Sequence, residues 1–527
     1  MRASHSPTIQ RRRSARSPTR ALLGALLALT ACSVGPSFTR PEAPVPPAWL
    51  AHPDPRLSAE SELNALWWKS FNDPALNQVV NLAYKQNLPL QIAALRIVEA
   101  RAQLGISTGK QYPQIVEAFG KADAVGLSES TANIGADRRF LDFQVGFDAA
   151  WELDFWGKYR RGVEAEAAAL LASEADYNSG IVSLTAEVAR TYVAIRTYDA
   201  LILETQENAN LQEEGLKIAE SRFKNGATSE LDVTQARALF ESTRATIPQL
   251  QASLQQSLNA LSTLLGQPPG NLEPLLGGLK GIPAPPSTVP VSMPAEMLRR
   301  RPDIRSAELA AAAQCAKVGV ATADLYPSFS LVGSIGFEAT RATALKINLF
   351  STNSLFYSVG PELNWPFFTF GRTRNAIRVE DARLQQLLIN YRDTVLRADQ
   401  EVEDALAGYL HAQDALLFQQ ASVTAAQRSV EISLAQYREG ATDYERVLDA
   451  QRSLLTQQTN LTQLTSSVDT YLISVFKALG GGWEIRNGQP LIPEPTVKEM
   501  KDRTNWDDML TEPSGPEKKQ AEQPKPQ

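Results

Sequence analysis

The sequence contains very few of the residues that hold metals or form disulfides. Its 527 residues include two cysteines, three histidines and five methionines. The cysteines are Cys32 and Cys315, and the acceptor motif described below uses Cys32, so no intrachain disulfide is predicted. Cys315 lies in an alanine-rich stretch and is predicted to be a small core residue. With so few histidines and no recognisable catalytic motif, we expect no metal site, no cofactor and no enzymatic activity.

The chain also lacks a cluster of basic residues beyond its first twenty positions. Its formal net charge is −6. Removal of the N-terminal segment, which holds six arginines and no acidic residue, would lower this to about −12. A net negative chain without a basic patch argues against nucleic acid as a partner and against docking to anionic lipid through basic residues.

Long hydrophobic runs are absent after Ala31. No later segment approaches the 18 or so consecutive apolar residues that a membrane-spanning helix needs. Membrane-spanning β-strands remain possible because they need only about ten residues of alternating polarity and give a weaker signal.

The N-terminus resembles a bacterial lipoprotein signal. Arginines precede a short apolar stretch from Ala21 to Ala31, which is too short to span a bilayer. It leads into Leu29-Thr30-Ala31-Cys32, a small-residue site followed by cysteine. The sequence therefore predicts a signal peptide over residues 1–31, lipid attachment at Cys32 and a proline-rich tether over residues 32–66.

The rest of the chain consists of two copies of one unit, offset by 214 residues. The first copy is predicted over residues 67–266 and the second over residues 300–480, with a proline- and glycine-rich linker at 267–299. The matching positions are Gly105 and Gly319, Tyr112-Pro113 and Tyr326-Pro327, Trp151 and Trp365, Gly157 and Gly371, Phe223 and Tyr437, Gly226 and Gly440, and Leu265-Gly266 and Leu479-Gly480. One constant register over such a length indicates a duplicated supersecondary unit.

Each copy contains a long helix with a seven-residue apolar repeat. In the second copy the repeated residues are Leu388, Val395, Val402, Tyr409, Leu416, Val423, Val430 and Tyr437. A second row of small residues contains Ala398, Ala405, Ala412, Ala426 and Ser433. The first copy has Ile181, Val188, Ile195, Ile202, Ala209, Leu216 and Phe223 at the equivalent positions. A sustained heptad predicts left-handed coiled-coil packing.

Both long helices are predicted to end in a tight reversal. Gly226 and Gly440 suit the left-handed position that follows a helix. Thr228 or Ser229 in the first turn, and Thr442 or Asp443 in the second, are expected to cap the returning helix. Each copy therefore contains a helical hairpin.

Each copy also contains two amphipathic strands. From Leu141 to Leu153 every odd residue is apolar, and the even face includes Asp142, Asp148 and Glu152. Leu355 to Phe367 alternates in the same way, with Glu362 on the polar face. Shorter patterns occupy about Gln114 to Ala124 and Phe329 to Phe337. This alternation is typical of a barrel with one lipid-facing and one wet face, and a half-buried sheet of a soluble domain is the alternative.

Four strands are too few to close a membrane barrel, since the smallest have about eight. Open strand edges in hydrocarbon are strongly disfavoured because their backbone groups find no partner. If the strands lie in a membrane, several chains must share one barrel, and the long helices would continue it as a tube.

These features resemble the TolC-like outer-membrane efflux proteins, in the lipoprotein branch that serves resistance-nodulation-division pumps. The resemblance covers nearly all of the chain from Cys32 to about Trp483. The motifs that carry it are Cys32-Ser33-Val34-Gly35-Pro36, Trp67-Trp68, Asp73-Pro74, Asn87, Arg300-Arg301-Pro302-Asp303-Ile304-Arg305, Tyr326-Pro327 and Leu448-Asp449-Ala450-Gln451-Arg452.

The resemblance implies an outer-membrane homotrimer that extends into the periplasm. Its fold would be a 12-stranded β-barrel, with four strands from each chain, above a periplasmic α-helical coiled-coil barrel. Its function would be that of a passive exit duct for small molecules, fed by an inner-membrane pump through a periplasmic adaptor. The partners implied are further copies of the chain, the adaptor, the pump and outer-membrane lipid.

The resemblance also makes the hairpin turns the expected gate and adaptor-docking site. Gly226, Asp232, Tyr437 and Gly440 match family positions. The second turn departs from the familiar ionic pattern, with Thr442 at the usual arginine position and Arg446 at the usual aspartate position. We hypothesise that Arg446 forms an ion pair with Asp232 or Glu445 when the turn is closed. Asp443 belongs to the same expected gate. Solvated turn charges are the alternative.

Two other functions remain open from the sequence. The chain resembles exit ducts of type I polypeptide secretion in the same features, although the lipid-acceptor motif and the Arg300–Arg305 motif favour small molecules. A structural envelope lipoprotein without a pore would need no acidic strand face. The C-terminal segment 481–527, with a tail predicted to be disordered from Pro513, is assigned no role.

Overall fold

The structure of the protein is a computed structural model that describes residues 33–42, 45–50, 54–58, 65–128, 130, 138–278, 281–286, 288–291, 300–341 and 348–510. The predicted signal peptide, the predicted lipid acceptor Cys32 and the predicted disordered tail lie outside these residues. The chain forms two compact units. The strand unit contains Gln103–Ala168, Ala312–Gln386 and the described residues up to Thr39, and the helical unit contains Arg40–Ala102, Ala169–Ala311 and the described residues from Leu387 onward.

Helices dominate the described chain. In chain order they are α1 (Pro74–Gln86), α2 (Leu88–Gly109), α3 (Lys158–Lys224), α4 (Glu230–Leu264), α5 (Glu273–Leu276), α6 (Pro302–Ala323), α7 (Arg372–Arg438), α8 (Tyr444–Ala478) and α9 (Glu494–Arg503). Short 3₁₀ turns occupy Trp67–Phe71, Thr352–Ser354 and Trp483–Arg486. Among the residues described, no helix combines the length and the apolar composition that crossing a membrane requires.

Three helices of the second half match three of the first in length and spacing. The pair α2 and α6 has 22 residues each, α3 and α7 have 67 each, and α4 and α8 have 35 each. Within each pair the second helix begins 214 residues after the first. The same elements therefore occur twice, at the spacing found in the sequence.

The heptad positions of the long helices are mostly buried. From Val395 to Tyr437 in α7 they are buried at every repeat except the half-buried Leu416, and the row of small residues is buried throughout. In α3 the row from Ile181 to Leu216 is likewise buried apart from the half-buried Ile202, but Phe223 is 44% exposed. The predicted heptad row is therefore buried over most of its length, and its last position differs between the two copies.

Four long strands form one antiparallel sheet. They are β2 (Ile115–Gly126), β3 (Arg139–Leu153), β5 (Ser328–Arg341) and β6 (Leu355–Asn364), in the order β2-β3-β5-β6. A separate parallel pair joins β1 (Leu57–Ser58) to β4 (Val289–Pro290) within the predicted linker. The prediction that Trp365 and Phe367 continue the last strand is wrong. The strand ends at Asn364, and Pro366, which lacks an amide hydrogen, cannot continue a ladder there.

The helical unit has a core built around two tryptophans. Trp67 and Trp68 are fully buried, and Trp67 stacks on Phe476 of α8 with ring centroids 5.3 Å apart. Asp73 caps α1 by accepting from the amide of Ala75 at 2.9 Å. The tryptophan and Asp73-Pro74 motifs are thus structural elements of this core.

Candidate functional site

The two faces of the sheet differ sharply in polarity. Residues directly opposite each other in an antiparallel pair point to the same face. The register places one group of polar residues together: Glu117, Lys121, Asp123, Asp142, Gln144, Asp148, Glu152, Ser330, Ser334, Glu338, Thr340, Ser358, Glu362 and Asn364. It places an apolar group on the opposite face: Val116, Ala118, Leu141, Phe143, Val145, Phe147, Trp151, Phe329, Leu331, Ile335, Phe337, Tyr357, Val359 and Leu363.

Two of the predicted carboxylates on the polar face flank one serine. Glu152 and Glu362 both lie opposite Ser330, on its two sides. A carboxylate oxygen of Glu152 accepts a hydrogen bond from the hydroxyl of Tyr159 at 3.0 Å. Burial and this carboxylate raise the pKa of Tyr159, which stays a neutral donor.

The other two predicted carboxylates of the polar face lie in β3. Asp142 is buried, and its Oδ2 accepts from Nε2 of Gln144 at 3.1 Å, while no partner among the described residues reaches its Oδ1. Asp148 lies between Glu117 and Ser334 in the register. All four predicted residues therefore share a single face of the sheet.

Both outer strands of the sheet have a free edge within the described chain. β2 pairs only with β3, and β6 pairs only with β5. Each therefore presents a row of backbone amides and carbonyls without a ladder partner in this chain. Such edges are open to pairing with strands of another copy.

The hairpin turns lie in the helical unit and have the predicted geometry. Gly226 and Gly440 have φ angles of +69° and +79°. After α3 the amide of Ala227 donates to the carbonyl of Arg222 at 2.9 Å, and that of Gly226 donates to Phe223 at 2.9 Å. The equivalent bonds after α7 are present at 2.8 and 3.0 Å. This is the Schellman motif, which satisfies the last carbonyls of a helix.

The predicted side-chain caps of the returning helices are wrong. Ser229 and Asp443 occupy the cap positions of α4 and α8, but neither side chain bonds to a helix amide. The hydroxyl of Thr228 donates instead to the carboxylate of Asp232, and Ser229 donates to the other oxygen at 3.4 Å. Asp232, in the first turn of α4, therefore accepts hydrogen bonds from these hydroxyls, which do not bond to the helix amides.

Tyr437 connects the two hairpin ends. Its hydroxyl donates to Oδ2 of Asp232 at 3.3 Å, and its ring packs against Tyr444 with centroids 4.9 Å apart. Tyr437 and Tyr444 are nearly fully buried, and burial raises the pKa of both hydroxyls. The predicted site residues Asp232 and Tyr437 are thus in direct contact.

Arg222 and Tyr444, which no motif in the sequence singles out, also take part in this contact. The guanidinium of Arg222 donates to the carbonyl of Tyr437 and lies over its ring. Comparison of the two copies could have indicated both residues, because each stands at a position where the copies differ. Gln436 is the counterpart of Arg222, and Glu230 is the counterpart of Tyr444. Residues that differ between the two copies, in a turn whose backbone is the same in both, are candidates for contacts between the copies.

The remaining predicted turn residues are exposed. Asp443, Glu445 and Arg446 all lie on the surface. Within the described part of the chain, no carboxylate lies within ion-pair distance of Arg446. A pair of Arg446 with Asp232 or Glu445 is therefore not formed within one described chain and stays a hypothesis about neighbouring copies.

The residues that follow Cys32 occupy a narrow seat in the strand unit. The amide of Val34 donates to the carbonyl of Trp156 at 3.1 Å. A Cβ on Gly35 would lie 2.5 Å from the Cα of Gly319, and a Cβ on Gly157 would lie 2.8 Å from Oγ of Ser33. Only glycine permits these approaches.

Arg301, from the arginine-rich motif, ties the start of the second copy to its end. Its guanidinium donates to the carbonyl of Ala478 at 2.8 Å and forms ion pairs with Asp303 at 2.6 Å and Glu401 at 2.8 Å. Gly480 allows the close approach, since a Cβ there would lie 3.0 Å from Arg301. This motif is structural in the helical unit.

Asp469 of α8 is a second feature that no sequence motif predicts. Its side chain is fully buried, and neither carboxylate oxygen has a hydrogen-bond partner among the described residues. Burial raises its pKa to about 8. In the described residues no group of three or more histidine, cysteine or acidic side chains is arranged to hold a metal ion.

Comparison with known proteins decides the family. The family model described as outer membrane efflux protein matches residues 79–267 and 293–481, which is most of the chain and covers both copies. The chain belongs to the outer membrane efflux protein family. Members of this family reside in the outer membrane, so the efflux protein is an outer-membrane protein.

Individual relatives agree with this assignment. The efflux protein is 31% identical to cation efflux system protein CusC of Escherichia coli over 87% of its length and 97% of that of CusC. It is 31% identical to the probable efflux pump outer membrane protein TtgC of Pseudomonas putida over 89% of its length and 97% of that of TtgC. The solved outer-membrane channel OprN superposes with a TM-score of 0.80 at 34% identity, covering 86% of this chain and all of OprN.

Proposed function

We propose that this protein is the outer-membrane duct of a tripartite efflux pump. Three copies join their four strands into one 12-stranded barrel, and their helical hairpins form the periplasmic part of the duct. An inner-membrane pump of the resistance-nodulation-division class supplies solutes through a periplasmic adaptor, and the duct itself is passive.

The observation that carries this proposal is the pairing register of the sheet. Its register separates an acidic, hydroxyl-rich face from an apolar face, and its two outer strands have unpaired edges. In a bilayer such edges must be paired because hydrocarbon offers no hydrogen-bond partners. Closure by further copies satisfies them and turns the apolar face to lipid and the polar face, with Asp142, Asp148, Glu152 and Glu362, to water.

The hairpin turns are the proposed gate and adaptor-docking site. The contact of Asp232 with Tyr437 links the two hairpins of a chain, and it is supported by Arg222 and Tyr444. The exposed residues Asp443, Glu445 and Arg446, together with the turns at Gly226 and Gly440, are available to an adaptor or to a neighbouring copy. Separation of the hairpins would open the duct.

Lipid attachment at Cys32 completes the proposal. The seat formed by Gly35, Gly157 and Gly319 holds the residues next to Cys32 against the base of β3. An acylated Cys32 would thereby be anchored beside the membrane strands. Labelling with a radioactive fatty acid, lost in a Cys32→Ser variant, is the expected result.

Reconstitution of the purified protein tests the function. We expect a trimer by native mass spectrometry and discrete ion conductance in a planar bilayer. The variant Arg446→Glu reports on the gate: a larger conductance supports its role in closure, and an unchanged conductance removes it from the gate. A compact monomer without conductance would favour the structural lipoprotein. Rescue of polypeptide secretion, with no rescue of resistance to small toxic compounds, would favour type I secretion.

A further inference from the structure

Two aromatic side chains, Phe119 and Phe356, lie in a single row across the face of the sheet that holds the carboxylates, and a third, Phe140, lies on the same face near the start of β3. The register aligns Phe119 of β2, Gly146 of β3, Gly336 of β5 and Phe356 of β6 side by side across all four strands. Since neighbouring strands are about 4.8 Å apart, the two phenylalanines start roughly 14 Å from each other. We call these four residues the aromatic platform.

The rings of the platform lean toward each other over the two glycines. A Cβ on Gly146 would lie 3.0 Å from Cζ of Phe119, and a Cβ on Gly336 would lie 2.9 Å from Cε1 of Phe356. Both glycines are buried and both rings are partly exposed. Glycine at the two central positions therefore lets the rings lie low across the sheet with one side free.

Carboxylates outnumber cations around the platform. One step along the same face are Glu117 and Asp148, and one step in the opposite direction are Lys121, Gln144 and Glu338, where Lys121 forms an ion pair with Asp123 at 2.6 Å. Across the whole polar face, seven carboxylates accompany a single basic residue, Lys121. A flat apolar surface edged by negative charge is complementary to a planar aromatic cation, which gains from ring stacking, from cation–π attraction and from nearby carboxylates.

We propose that the aromatic platform is a binding station for planar aromatic cations on their way through the duct. The proposal rests on the proposed function, because only in a duct does this face meet solutes in transit. Each copy supplies one platform at the same level of the barrel. The station gives the passive duct a preference among solutes that leave the pump, without any moving part.

Equilibrium binding to the purified, detergent-solubilised protein tests this station independently of conduction. The probe is ethidium, a planar aromatic cation, and the readout is its fluorescence anisotropy. The variant Phe119→Leu with Phe356→Leu keeps an apolar cover over the glycines but removes the π faces. At two- to fivefold in affinity for each lost ring contact, we expect the Kd to rise about 4- to 25-fold.

Two further variants control the measurement. Phe147→Leu with Phe337→Leu makes the same change on the apolar face and is expected to leave the Kd unchanged. The variant Phe119→Tyr with Phe356→Tyr keeps the aromatic rings and is expected to retain binding. Together with the leucine variant, it distinguishes binding by the rings from a merely structural role of the side chains in covering the glycines. If the platform leucine variant folds and binds ethidium as wild type does, or if both leucine variants weaken binding equally, the station is overturned.

Conductance of the same preparations separates the station from the duct. Wild-type protein that conducts ions but shows no platform-dependent binding would leave the duct standing and reject the station. Protein that binds ethidium through the platform but never conducts would reject the duct.

Discussion

The guanidinium of Arg222 lies over the ring of Tyr437, 4.7 Å from its centroid, and also donates to the carbonyl of the same residue. Arg222 belongs to the last turn of α3 and Tyr437 to the last turn of α7. One side chain thus joins the ends of both hairpins of a chain. The bond has no counterpart, because Gln436 occupies the equivalent position in the second copy.

Replacing Arg222 by alanine is expected to loosen the two hairpin ends. The variant loses a cation–π contact and a hydrogen bond to a carbonyl, together about 1–2 kcal/mol. Amide hydrogen exchange around Gly226 and Gly440 should accelerate, and the bilayer conductance should rise if the hairpins gate the duct. Gln436→Ala is the matched control. Equal exchange in the two variants would show that Arg222 does not hold the turns together.

Asp469 is expected to make stability fall as pH rises. Its pKa is about 8 in the folded protein, whereas the ordinary pKa of an aspartate in an unfolded chain is about 3.8, so between these values the folded state binds the extra proton. The free energy of unfolding contributed by this group therefore decreases up to about pH 8. Relative to wild type, Asp469→Asn should gain roughly 2–3 kcal/mol between pH 6 and pH 9.

Chemical unfolding in detergent at several pH values measures this effect. Asp449→Asn is a control on the same helix, since the Asp449 side chain is 72% exposed. The difference in free energy of unfolding between wild type and Asp469→Asn should change with pH. A difference that stays constant would contradict a buried, protonated Asp469.

Periodicity made the long elements predictable. A helix seam must bury one residue in every three or four, and this produces the heptad from Val395 to Tyr437. A two-faced strand must alternate apolar and polar residues, and this produces the pattern from Leu141 to Leu153. Both patterns can therefore be read directly from the sequence. The end of β6 was mispredicted because Trp365 and Phe367 continue the alternation while Pro366 interrupts the ladder.

Contacts between distant segments were not predictable from such patterns. Arg222 contacts a residue 215 positions away, and the burial of Asp469 depends on packing between helices rather than on its neighbours in sequence. The capping prediction failed for a local reason: Asp232 competes for the hydroxyl of Thr228, which leaves the helix amides without a side-chain cap.

The seat of the residues after Cys32 should not tolerate a side chain at Gly35. Gly35 has φ +94°, and an added Cβ would lie 2.5 Å from backbone of Gly319. Gly35→Ala is therefore expected to displace the segment from Trp156 and to expose it to protease. The left-handed backbone alone costs about 1–2 kcal/mol.

Limited proteolysis followed by mass spectrometry of the N-terminus measures this displacement. Gly109→Ala at the end of α2 is the control, because nothing lies within 4 Å of an added Cβ there. Equal protection of the N-terminus in both variants would mean that the seat adapts to a methyl group.

Neighbouring substitutions in β5 distinguish a membrane sheet from a soluble one. Ile335 lies on the apolar face and is 53% exposed in the single chain, whereas Ser334 is half-buried on the polar face. Judged by solvent exposure in the single chain alone, Ile335→Lys would destabilise the protein less than Ser334→Lys. If the apolar face meets lipid, a lysine there costs about 2–4 kcal/mol at the centre of the bilayer, and Ser334→Lys points into water. We therefore expect Ile335→Lys to lower the yield of folded trimer in lipid vesicles and Ser334→Lys to fold as wild type does. The reverse order would place water on the apolar face and contradict the barrel.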